Sequence, residues 1–70
     1  MQRTNVSSSN IAIVGYDLAK SLLEITFNDG SVYEYYSVPE GVYSGLMSAA
    51  SHGRYFHANI RDSYQYAKVG

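Results

Sequence analysis

The chain has no cysteine, only one proline, no long apolar run and no excess of charge. Without cysteine, neither a disulfide framework nor a thiolate metal site can form. No stretch approaches the ~20 apolar residues of a membrane-spanning helix, so no membrane partner is expected. Residues 1–9, Met-Gln-Arg-Thr-Asn-Val-Ser-Ser-Ser, lack the apolar segment of a secretory signal and read as a flexible tail. One domain over residues 10–70 and a cytoplasmic location follow as expectations. Five Lys and Arg against six Asp and Glu give a formal charge of −1. That balance excludes a strong overall attraction to nucleic acid or anionic lipid.

Seventy residues lie near the lower limit for a domain that folds without a staple. Side-chain packing has to supply all of the stability. Aromatic rings suit that task because each buries a large area. Eight tyrosines and two phenylalanines are present, and four of the tyrosines form two Tyr-x-Tyr pairs, Tyr33-Glu34-Tyr35 and Tyr64-Gln65-Tyr66. A tyrosine can fill a core, tether its hydroxyl or stack on a flat ligand.

The order of elements is readable from local pattern. Asn10 to Asp17 is rich in β-branched and apolar types and predicts a strand whose register stays open, since both faces carry apolar residues. Asp17-Leu18-Ala19-Lys20 predicts a reversal. Ser21 to Phe27 alternates, with Leu23, Ile25 and Phe27 on one face. Asn28-Asp29-Gly30 is the strongest turn signal and leads into a strand from Ser31 to Ser37. A three-residue loop with Gly30 left-handed pairs Ile25 with Tyr33 and Leu23 with Tyr35, which gathers the large residues on one face. A two-residue loop would set Ile25 against Glu34, so the longer loop is expected.

Val38-Pro39-Glu40 starts a helix with Pro39 at its first position, and Val42, Tyr43, Leu46, Met47 and Ala50 recur at helical spacing. Gly41 and Gly45 allow another backbone to approach. Ser51 caps a shorter helix reaching roughly Arg61. Tyr64-Gln65-Tyr66 reads as an extended end with the option of a fourth strand. The expected fold is α+β: a three-stranded antiparallel sheet, or four-stranded with that end included, with two C-terminal helices on one face.

The combination and order of these residues resemble one family. A Gly15-Tyr16-Asp17 corner, Tyr33-x-Tyr35, Val38-Pro39, Ala50-Ser51-x-Gly53-x-Tyr55-Phe56, Ile60-Arg61 and Tyr64-x-Tyr66 are similar to the KTSC domain. That small domain occurs at the C-terminus of some lysyl-tRNA synthetases and as free-standing bacterial proteins. The resemblance spans about Ser9 to Val69. It implies a domain without an established activity, for which RNA binding is the usual suggestion.

Charge is unevenly placed along the chain. Through Ala50, Arg3 and Lys20 face five acidic residues; from Ser51 onward Arg54, Arg61 and Lys68 face only Asp62. Arg54, His57 and Arg61 fall on one side of the second helix, opposite Phe56 and Ile60. With Tyr64, Tyr66 and Lys68 they form the candidate RNA-binding set, since guanidinium pairs with phosphate and an exposed tyrosine stacks on a base. The plainer reading is a solvated helix face with both tyrosines packed on the sheet edge. Tyr33 and Tyr35 are expected in the core.

The alternative function is a protein-interaction module, or self-association, through a sheet edge or the outward Leu22 and Tyr36. His52 and His57, five apart, miss the i, i+4 spacing of helical zinc ligands. Gly30 and Gly53 do not belong to a phosphate-binding loop. A non-catalytic module with no metal and no cofactor is therefore expected.

Overall fold

The computed structural model describes all residues from Met1 to Gly70. Its elements are β1 (Gln2–Asn5), β2 (Ile11–Asp17), β3 (Leu22–Phe27), β4 (Val32–Tyr35), α1 (Glu40–Ser48), α2 (His52–Asn59) and β5 (Tyr66–Lys68). The strands form one antiparallel sheet in the order β1-β2-β3-β4-β5. The expected α+β class is present, but the sheet has five strands rather than three or four.

The extra strand corrects the expectation of a flexible tail over residues 1–9. Gln2–Asn5 pairs with β2, although all four of its residues are exposed. A strand with no buried face carries no hydrophobic alternation, so the pattern that reveals the others is missing here. Its anchor is electrostatic. Arg3 Nε donates to Glu24 Oε1 at 2.6 Å and Nη2 to Oε2 at 3.2 Å. The pair spans an intervening strand, because Arg3 lies opposite Gly15 and Gly15 opposite Glu24. A Cβ on Gly15 would come within 3.1 Å of Arg3 Cγ and 2.8 Å of Met1 Sδ. Glycine thus leaves the gap through which the guanidinium reaches. The Arg3 hydrogen bonds hold the Glu24 carboxyl below its ordinary value, against the opposing effect of its burial.

β2 resolves the open register with a bulge. Ile11 pairs with Phe27 and Ile13 with Thr26, so the ladder shifts between them. The extra residue turns Ile11 and Val14 to the same face, where strict alternation would have separated them. Both are fully buried with Leu23, Ile25, Val38, Leu46 and Ile60. Burying one such side chain is worth about 1.5–3 kcal/mol, which is how a cysteine-free chain this short is held. The β2–β3 reversal falls as expected and uses Ser21 at φ 52°, since no glycine is available there.

The three-residue loop after β3 is present, with Gly30 at φ 90°. It sets Ile25 opposite Tyr33 and Leu23 opposite Tyr35. Asp29 Oδ1 accepts from the Ser31 amide at 2.9 Å and hydroxyl at 2.6 Å, bonds that hold the Asp29 carboxyl below its ordinary value. Both helices cover this same face. Pro39 stands at the N-cap of α1, one position before the expected one, with extended backbone. Ser51 caps α2 by accepting from the Arg54 amide, and α2 stops at Asn59, short of Arg61. A Cβ on Gly45 would collide with the Tyr55 ring, so the close approach it allows is to a side chain of α2 rather than to backbone. Nothing lies near Gly41.

Candidate functional site

Ten aromatic rings in so small a molecule sort into distinct groups. Tyr16 and Tyr43 stack with centroids 4.6 Å apart and planes 8° from parallel. The Tyr16 hydroxyl donates to the Val38 carbonyl at 2.6 Å, which ties β2 to the segment entering α1. That pair is closed on itself.

The second group is larger and partly open. Phe27 meets Tyr33 and Phe56 edge-to-face at 5.6 and 5.5 Å, and Tyr35 meets Phe56 edge-to-face at 5.4 Å. Tyr66 closes the group, 5.9 Å from Tyr33 and 5.5 Å from Tyr35. Its position follows from the sheet register: β5 pairs with β4 so that Tyr66 lies opposite Tyr35, and Lys68 opposite Tyr33. Tyr35 is only 3% exposed and belongs to the core, whereas Tyr66 is 56% exposed. Burial pushes the Tyr35 phenol up to about 12, with the neighbouring Tyr66 and Tyr33 adding to the effect.

These rings line an open cleft of about 650 Å³ between the sheet and α2. Sites for small molecules occupy roughly 300–1,000 Å³. His57, Arg61 and Asp62 form one wall. Asn10, Asn28, Asp29 and Ser31 also line it. Arg61 Nη1 lies 2.7 Å from His57 Nε2. Arginine has only donors, so His57 accepts there and carries its ring proton on Nδ1. His52 serves elsewhere, with Nδ1 2.8 Å from the Leu46 carbonyl at the end of α1.

The predicted set therefore divides. His57, Arg61 and Tyr66 converge on the cleft, and Lys68 stands at its edge strand, close enough to Asp29 to act on that carboxyl. Arg54 is exposed on α2 outside the cleft, and Tyr64 is half-buried against the core. Tyr33, assigned to the core from sequence, is half-buried and lines the cleft. The pairing of Tyr33 with β5 was the available signal, but β5 begins at Tyr66 rather than Tyr64, so its register was not readable. Asn10, Asn28, Asp29 and Ser31 went unnoticed because turn residues carry a structural explanation already. Of the alternative surface, Tyr36 is exposed and its hydroxyl donates to Glu34 at 3.3 Å, while Leu22 is half-buried.

A five-stranded antiparallel sheet covered on one face by two short helices, with an aromatic cleft between the layers, defines a small α+β domain. Known proteins give the family. The family model described as KTSC domain matches residues 7–68, and the chain belongs to the KTSC domain family. The crystal structure of a KTSC domain protein from Yersinia pestis superposes with a TM-score of 0.95 at 42% identity, covering 99% of this chain and 97% of that one. An uncharacterized protein of Stutzerimonas stutzeri is 34% identical over 99% of both chains. A lysine–tRNA ligase of Trichormus variabilis is 39% identical over 77% of this chain, which spans only 10% of the ligase. No helix is long and apolar enough to cross a membrane.

Proposed function

We propose that the domain is a non-catalytic accessory module that binds single-stranded RNA weakly through the cleft between α2 and β5. The observation that carries this reading is the exposed Tyr66 ring, which stands with Tyr33 beside Arg61 and His57. Sequence-tolerant RNA binding combines such an aromatic platform with cations that follow the backbone. Similar segments within lysine–tRNA ligases support it, because those proteins are named for a tRNA substrate.

Electrostatics sets the strength. Arg61 and Lys68 supply the formal positive charge and Asp29 and Asp62 offset it, so the cleft is close to neutral. About three phosphate contacts on a single strand give a salt slope of only about −2. Such a module adds to the affinity of a larger RNA-binding protein rather than acting alone, through the effective concentration that linkage provides. In an NMR titration of this chain with a short oligoribonucleotide at low salt, resonances of His57, Arg61 and Tyr66 are expected to shift and to recover as salt is added. Unmoved resonances at millimolar RNA would end this reading.

A further inference from the structure

We infer that the cleft accepts one unpaired base, stacked against Tyr66 and Tyr33 with its hydrogen-bonding edge toward Asn10 and Asn28. This deepens the RNA reading and rests on it. Three features lead there. The near-neutral charge balance disfavours an occupant that is mostly phosphate, such as a polyphosphate or a duplex backbone. A planar, uncharged ring suits it better. Second, stacking of one base on an aromatic side chain adds affinity of the same order as counterion release from two or three phosphates, and needs no charged wall to do so. Third, Asn10 and Asn28, which line the same cleft as Arg61, present complementary polar atoms.

Those atoms are left over from a local network. The Asn28 amide donates to the Asn10 carbonyl at 2.9 Å, which brings the two side chains to one rim. Asn10 Oδ1 accepts from the Ser8 hydroxyl and Asn28 Nδ2 donates to the Ser8 carbonyl, each at 3.1 Å. The remaining halves of the two carboxamides, Asn10 Nδ2 as donor and Asn28 Oδ1 as acceptor, make no bond within the chain. Gly53 keeps this rim in place: a Cβ there would come within 2.6 Å of Asn10 Oδ1. Every nucleobase carries a donor beside an acceptor on its Watson–Crick edge. The site therefore takes any base whose edge is free and refuses one already paired.

The test compares three RNA probes against the full chain by NMR titration. They are a tetraribonucleotide with one adenine in an otherwise abasic backbone, the wholly abasic tetramer, and a short blunt duplex. The base-bearing tetramer is expected to bind at least tenfold more tightly than the abasic one, with the duplex no better than the abasic tetramer. Tyr66→Ala, at an exposed position, should remove most of that preference; Asn10→Asp, which replaces the free donor by a carboxylate, should reduce it several-fold. Equal affinity for the two tetramers, or a duplex that binds as well as the base, overturns the base pocket and leaves RNA binding standing. Loss of binding to all three probes removes both. Shifts confined to Arg54 and the outer face of α2 would likewise overturn the pocket.

Discussion

The Tyr16–Tyr43 pair and the cluster around Tyr66 use one residue type in opposite ways. In the first, two rings cover each other's faces and the Tyr16 hydroxyl is spent on the Val38 carbonyl. In the second, Tyr35 is sealed below while Tyr66, its partner across the sheet, leaves more than half of its surface in water. Neither ring chemistry nor local sequence separates these roles. Position in the sheet does: Tyr16 and Tyr35 lie on inner strands beneath helices, and Tyr66 lies on the edge strand β5, at the open side of the cleft.

The sharpest way to break the comparison is Tyr35→Ala. Deleting a buried ring costs roughly 3–5 kcal/mol, a large share of what a domain this size holds. Thermal and urea unfolding should show a chain that is largely unfolded or close to it. Retention of wild-type stability would mean that the cluster is a surface feature throughout.

Gly45→Ala comes next. Overpacking against Tyr55 costs about 1–3 kcal/mol, partly offset by up to ~1 kcal/mol of gained helix propensity. A net loss in urea midpoint is expected, whereas the same change at Gly41, with open space around it, should stabilise. Equal outcomes at the two glycines would contradict the helix–helix geometry.

Tyr16→Phe keeps the stack and removes one hydroxyl. The lost bond and the unpaired Val38 carbonyl together cost about 1–2 kcal/mol. Tyr66→Phe should leave stability unchanged, within about 0.5 kcal/mol. If the two substitutions cost the same, the contrast between a tethered and a presented tyrosine fails.

Alkali distinguishes the same residues without mutation. The folded state holds the Tyr35 proton up to about 12, above the ordinary 10 of an unfolded chain. The folded form therefore binds more protons over that interval, and stability falls as pH rises from 10 toward 12. Ultraviolet titration should show a late phenol that ionises together with unfolding. Tyr35→Phe should remove that phase, and Tyr66→Phe should not.

Much of the fold was legible because its causes are local. The Asn28-Asp29-Gly30 loop determined which residues of β3 and β4 face each other, and the Ser51 cap marked where α2 begins. The parts that were missed have non-local causes. β1 depends on a guanidinium crossing one strand to a carboxylate 21 positions away. The β2 register depends on a bulge, and apolar residues on both faces of that strand concealed it. The site was legible by half for the same reason. His57 and Arg61 announce themselves as basic residues near a helix, while Tyr33, Asn10 and Asn28 enter the cleft only through the way the sheet is assembled.

Gly15 carries a consequence for solubility. β1 covers the outer hydrogen-bonding groups of β2, and an uncovered inner strand is a template on which other chains can add. The hydrogen atom at Gly15 is what lets Arg3 fasten that cover to Glu24. Acid undoes the fastening from the other end: the depressed carboxyl of Glu24 contributes stability above its ordinary range that is lost as pH falls through its folded value. The smallest side chain in the sheet thus acts as a safeguard against polymerisation. Gly15→Val, or acid below the ordinary carboxylate range, should raise amide exchange along β2 and bring on concentration-dependent light scattering while the helices stay folded.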